Sequence, residues 1–144
     1  MPSESEQSRE VIRRFIEEVL NQKNWDAFDE LHHPDFVNLS APPGMPSDVE
    51  GGKMFLSGFL GAFPDSQFTV ADMIAEGDRV ATKKTFTGTH TAEFFGIPPT
   101  GRRVTLQYAD IMRVRDGKIV EHWLSMDQLS FMQQLGVIPE PQPA

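Results

Sequence analysis

The chain has 144 residues, no cysteine and a net charge of −8, from 21 acidic against 13 basic residues. That length suits a single domain that buries roughly 70% of the surface its unfolded form exposes, a sizeable core needing no staples. The missing cysteine excludes disulfides and thiolate metal sites and fits a reducing compartment. The acidic balance, with no basic group denser than a pair such as Arg102–Arg103, argues against a nucleic-acid partner. The first 13 residues are polar, and no stretch approaches the ~20 apolar residues of a membrane span, so a soluble cytoplasmic protein is expected.

Eleven phenylalanines against one tyrosine point to a greasy interior, either a packed core or the lining of an apolar cavity. A first helix is expected over 6–21, where Val11, Ile12, Phe15, Ile16, Val19 and Leu20 recur at helical spacing. A second, over 24–32, gathers Trp25, Phe28 and Leu31, with Asn24 as N-cap and His33-Pro34 as its stop. Pro42, Pro43, Gly44 and Pro46 mark a loop. A third helix is expected over 48–62, ending before Pro64.

From there the period becomes two. Phe68, Val70 and Ile74 alternate with polar partners, and Glu76-Gly77-Asp78 turns into a strand over 79–90. After a loop over 91–102, Val104, Leu106, Tyr108, Met112 and Val114 share one face of the next strand. Asp116-Gly117 supplies the positive φ of a hairpin turn, followed by a strand over 119–125. A short helix from Asp127 ends at Gly136. Helices first and a strand meander afterwards predict an α+β fold, with helices packed on one sheet face. One domain over 1–144 is expected, with its ordered core at about 6–137 and a tail over 138–144.

Two carboxylates interrupt the apolar pattern. Asp110 is in phase with Leu106, Tyr108 and Met112 and so points to the covered face. It is either a satisfied buried carboxylate or a pocket carboxylate whose burial raises its pKa. Asp127 stands where the last strand meets the last helix, as an N-cap or as a catalytic group. Trp123 lies in phase with it across Ser125, so both are expected to face one cavity, the indole as a ligand contact or as core. Only His32 and His33 adjoin in sequence, and helical neighbours diverge by about 100°, so no metal site is expected. His90 and His122 are candidate acid–base groups on strands. His122 is out of phase with Trp123, so only one of the two faces the pocket. No nucleophile elbow, phosphate loop or dinucleotide fingerprint is present.

Several segments are similar to the SnoaL-like polyketide cyclase family. They are Ala62-Phe63-Pro64-Asp65, Glu76-Gly77-Asp78-Arg79-Val80, Gly88-Thr89-His90 and Gly96-Ile97-Pro98-Pro99-Thr100-Gly101. The end, Asp116-Gly117-Lys118-Ile119-Val120-Glu121-His122-Trp123 with Asp127 and Gln134-Leu135-Gly136, resembles the family more closely still. The resemblance covers nearly the whole chain after the first helix. It implies a nuclear-transport-factor-2-like fold, a curved antiparallel sheet with N-terminal helices closing a cone-shaped pocket. It also implies cofactor-free aldol ring closure with an acidic general acid–base, carried over to Asp127. The chain departs at Val37-Asn38-Leu39, where the family often has Asn-His. Asn38 remains as a polar pocket contact, and the histidine's role is lost or moved to His90.

These residues support a cofactor-free cyclase or isomerase acting on a small hydrophobic carbonyl compound, with Asp127, His90 or Asp110 as the acid–base set. A non-catalytic binding protein of the same fold is the alternative, and a structural dimerisation domain the third. The pocket is expected to be lined by Phe15, Phe59, Phe86, Tyr108 and Trp123, with Asp110 or Asp127 exposed to it and Asn38 and His122 as further candidate contacts. The resemblance implies a homodimer through the open sheet face, where Arg103, Thr105, Gln107 and Arg113 would lie.

Overall fold

Helix formation begins at Ser3, whose hydroxyl accepts the Glu6 N–H at 3.1 Å and so satisfies one of the orphan donors of a helix start. The computed structural model describes residues 1–139; most of the expected tail, residues 140–144, lies outside them. Helix α1 (Glu4–Arg14) widens into a π-helical segment, Phe15–Asn21, which buries Phe15, Ile16, Val19 and Leu20. Its last residue joins helix to sheet: the Asn21 amide donates to Phe68 O at 3.0 Å and accepts the Phe68 N–H at 2.8 Å. Helix α2 (Trp25–Leu31) is capped by Asn24, as expected, and α3 (Val49–Ala62) by Asp48.

Strands β2 (Gln67–Glu76), β3 (Arg79–Thr89), β4 (Arg103–Arg115) and β5 (Lys118–Met126) form the predicted antiparallel meander. Asp116 and Gly117 both take positive φ, 54° and 73°, in the turn between β4 and β5. Helix α4 (Gln128–Leu135) ends at left-handed Gly136. The pattern did not predict β1 (His32–Asn38). It joins the far edge of the sheet beside β5 and runs parallel to it, giving the order β1-β5-β4-β3-β2. The curved sheet is therefore mixed, where an all-antiparallel one was expected. Past the end of β1 the pairing continues: Leu39 N–H donates to His122 O at 2.8 Å, and Ser40 Oγ bonds both Leu124 N and Leu124 O.

The core fills the space between the helices and one sheet face. Its densest part is aromatic, with the Phe59 ring 5.0–6.1 Å from those of Phe63, Phe86, Phe94 and Phe131. Gly88 makes room for this, because a Cβ there would meet Phe63 Cβ at 3.0 Å.

A second aromatic group surrounds His32, where α2 turns into β1. Its ring stacks on Phe28 at 4.0 Å and meets the edges of Phe15 and Phe36, and its Nδ1 lies 2.8 Å from Phe28 O. Burial pushes its pKa from the ordinary 6.5 down to about 4, against the partial support of that carbonyl. On acidification the unfolded chain therefore takes up this proton first. The contribution is complete above pH 6.5 and is lost between about pH 6.5 and 4. We expect His32 to remove on the order of 3 kcal/mol over that window. His32→Phe should flatten this part of the pH–stability profile, as measured by urea unfolding at pH 7, 5.5 and 4. Parallel profiles for the two proteins would refute the assignment.

Candidate active site

The inward row of β3 is Val80, Thr82, Lys84, Phe86 and Gly88, and that of β4 is Val104, Leu106, Tyr108, Asp110, Met112 and Val114. Register places Thr82 opposite Asp110, Lys84 opposite Tyr108, and Met112 opposite His122. Three donors thereby converge on one carboxylate. The Thr82 hydroxyl bonds Asp110 Oδ1, while Lys84 Nζ and His122 Nε2 approach Oδ2 at 2.7 and 3.1 Å. Lys84 and Asp110 are each 1% exposed, whereas His122 keeps an accessible edge at 22%.

Burial alone would raise the Asp110 pKa. The His122 hydrogen bond and the Lys84 charge overcome that and hold the carboxyl well below its ordinary range. Asp110 is thus the satisfied, ionised carboxylate of the two possibilities read from the sequence. Burial pulls the Lys84 pKa down, and Asp110 partly restores it. Tyr108, with the Lys84 ammonium 5.1 Å from its ring centroid, is pushed well above 10 by burial and then by the Asp110 charge, so its phenol stays protonated.

An ionised carboxylate only accepts, so the atom of His122 facing it carries the proton. The neutral imidazole is then the Nε2–H tautomer, with Nδ1 free to take a proton. Across the strand, His122 pairs with Asn38. Asn38 Oδ1 accepts the Ser40 N–H at 2.9 Å, which leaves its Nδ2 hydrogens for another partner. The loop bearing Ser40 is held against α3, where Gly51 has no space for a Cβ beside the Pro46 carbonyl.

The other sequence-derived candidates lie elsewhere. Trp123 is 44% exposed and points away from the helices, opposite Ile111 on the outer face; His122 is the inward one of the two. Asp127 is exposed and caps α4, its Oδ1 accepting the Ser130 N–H at 2.9 Å. It does not share a face with Trp123, because β5 ends at Met126 and the chain turns there.

His90 is fully buried against Phe63, and the Thr100 N–H donates to its Nδ1 at 3.2 Å. It pins the loop between β3 and β4, away from the Asp110 cluster. Phe15 and Phe86 are core residues, while Phe59 and Tyr108 are half-buried. A surface cleft of about 430 Å³ is bordered by Asp29, His32, Asp48 and Lys118 and by none of the expected lining residues. Thr82 and Lys84 were missed, although both stand in phase with Val80 and Phe86 along an inward row. No group of three or more His, Cys, Asp or Glu side chains is placed to hold a metal among the described residues.

Residues 10–135 match the sequence profile of the SnoaL-like polyketide cyclases. The chain is 31% identical over 123 residues to nogalonic acid methyl ester cyclase of Streptomyces nogalater, spanning 82% of this chain and 90% of that one. It is 28% identical over 138 residues to an aklanonic acid methyl ester cyclase of Streptomyces peucetius, spanning 93% and 92%. Among solved structures, wild-type IdmH from Streptomyces antibioticus is 38% identical, with a TM-score of 0.77 over 90% of this chain and 99% of that one. TsrD from Streptomyces laurentii is 26% identical, with a TM-score of 0.81 over 92% and 96%.

The Asp127 geometry gives a direct test. Asparagine caps a helix about as well as aspartate, so Asp127→Asn should change stability by no more than a few tenths of a kcal/mol. Asp127→Ala should cost about 1 kcal/mol. Chemical denaturation of both variants checks this, and equal losses would rule out the cap role.

Proposed function

The chain belongs to the SnoaL-like polyketide cyclase family, and we propose that it closes a ring in a small hydrophobic polycarbonyl compound with His122 as acid–base and Asp110 as its orienting partner. The observation that carries this reading is the 3.1 Å contact of His122 Nε2 with buried Asp110, on the partly accessible edge of the inward face. The arrangement follows the logic of a base oriented by a carboxylate.

In the proposed cycle His122 Nδ1 removes a proton α to a carbonyl. The developing enolate oxygen is met by Asn38 Nδ2–H. The enolate carbon attacks a second carbonyl of the same molecule and forms the new C–C bond. The resulting alkoxide takes back the proton from the His122 imidazolium. Protons and electrons balance, and no step calls on a cofactor. Tyr108 lies four residues along the neighbouring strand from the site, roughly 13 Å at strand spacing. Its protonated phenol suits a contact with the far end of an extended substrate. Asp127 is an exposed helix cap and His90 is fully buried, which favours the partly accessible His122 over either as the base.

Two relatives are named as cyclases of nogalonic and aklanonic acid methyl esters, and these are the compounds to try first. With either as substrate, His122→Gln should lower kcat by ~10²–10⁴-fold. The fold should survive, because Asp110 keeps Thr82 and Lys84. Asp127→Asn should retain turnover in the same chromatographic assay. Full activity of His122→Gln would overturn the reading; binding of these esters without turnover by the wild-type protein would favour the non-catalytic alternative.

We also propose a cytoplasmic homodimer. The compartment rests on the lack of cysteine. The dimer rests on the outer sheet face, where Trp123, Ile111, Ala81 and Ile74 form one cross-strand row over four strands. Trp123, Ile111 and Ile74 are 44%, 43% and 63% exposed. A contiguous apolar strip of this kind suits a self-complementary interface. Sedimentation should show a dimer at micromolar concentration that Trp123→Glu converts to monomer; a monomeric wild-type protein would refute it.

A further inference from the structure

We propose that Lys84 is a positioning residue for the His122 base: its ammonium cancels the Asp110 charge, so that the carboxylate orients the imidazole without holding it protonated. The inference rests on the reading of His122 as the base, but its first test needs no turnover.

A buried carboxylate beside an imidazole stabilises the imidazolium, and an opposite charge at such a distance moves a pKa by about 1–3 pH units. An Asp110 charge left uncompensated favours the imidazolium, the form with no lone pair for an α-proton. The structure supplies the remedy at the same atom. Lys84 Nζ lies 2.7 Å from Oδ2, the oxygen that His122 Nε2 approaches at 3.1 Å.

The other groups around His122 leave this balance in place. Beta-strand β4 adds Tyr108, which stays protonated and neutral. The start of β1 brings His32, which is held neutral above about pH 4 and whose Coulombic influence is mutual with His122. Asn38 across the strand is uncharged. On β5 itself, Glu121 faces outward and meets Arg113 at 3.6 Å, and Lys118 lies a further turn of the pleat away. On the helical side, Asp29 of α2 acts on His32. Lys84 is thus the cation that offsets Asp110 at this site.

Stability alone is a poor explanation of the pair. Buried ion pairs are often replaced by apolar residues without loss of stability, so a buried lysine is a weak device for stability alone.

The test is an NMR titration of the His122 ring nitrogens in the full-length protein. In Lys84→Met the His122 midpoint should move up by about one pH unit or more. In Lys84→Met/Asp110→Asn both charges are gone, and the midpoint should return to within about half a pH unit of wild type. The double variant keeps the question open if the single one does not fold. An unchanged midpoint in Lys84→Met, or one displaced by about one pH unit or more in the double variant, overturns the proposal. Where turnover is measurable, the acidic limb of kcat/KM in Lys84→Met should move to higher pH with the midpoint, because the base must be unprotonated to act. A uniform fall in rate at every pH, with the limb in place, would mark Lys84 as structural only.

Discussion

The contact on which the interior depends is the buried ion pair between Lys84 and Asp110. Taking two charges out of water costs several kcal/mol per ion, and their attraction repays this only when the remaining hydrogen-bonding capacity is also used. Here it is: Thr82 fills one carboxylate oxygen, and His122 shares the other with the ammonium. Losing either charge alone would strand the other, at a typical cost of about 3–5 kcal/mol. The pair also ties β3 to β4 in one register. A one-residue slip of β3 would turn Thr82 and Lys84 outward and take both donors from the buried Asp110. The same contact that makes the interior costly makes its register unambiguous.

Along the inward face, chemistry changes with position. At one end, Phe86 and Leu106 pack into the Phe59, Phe63, Phe94 and Phe131 cluster, against which His90 is buried. Towards the other end come Lys84 with Tyr108, Thr82 with Asp110, and Met112 with His122 and Asn38. This is the economy of a sheet: each rung offers one inward side chain per strand, so a short run of rungs brings together side chains of four strands without any loop.

Much of this was legible in the chain. Alternation along β4 placed Asp110 inward and required a partner for it, and period and caps located the helices from Asn24, Asp48 and Asp127. Lys84 carried the same signal, two residues before Phe86, and was not singled out beside the adjacent Lys83. Phase alone separates them, since Lys83 is exposed and Lys84 is not. Trp123 and Asp127 went astray for a different reason. Phase counting holds only within one strand, and β5 ends at Met126, so agreement between positions 123 and 127 has no geometric content. His90 looked catalytic from its residue type, but its contacts are those of a loop clip, and residue type alone cannot tell the two apart.

The strand that sequence reasoning missed completes the proposed site. His32-His33-Pro34-Asp35 has neither alternation nor β-propensity, and a parallel partner far along the chain leaves no local trace. Yet β1 sets Asn38 beside His122, and Leu39 and Ser40 extend the pairing along β5. The two halves of the site are therefore encoded differently. The proposed base and its charge partners lie on β3, β4 and β5, whose meander is written in local periodicity and turns. The amide that would meet the developing oxyanion arrives only through tertiary pairing, on a strand held by its neighbours. A substitution in the 39–48 loop thus bears on the Asn38 contact and, through the Leu39 N–H bonded to His122 O, on the backbone of the proposed base, while the contact that orients its ring comes from Asp110 on β4.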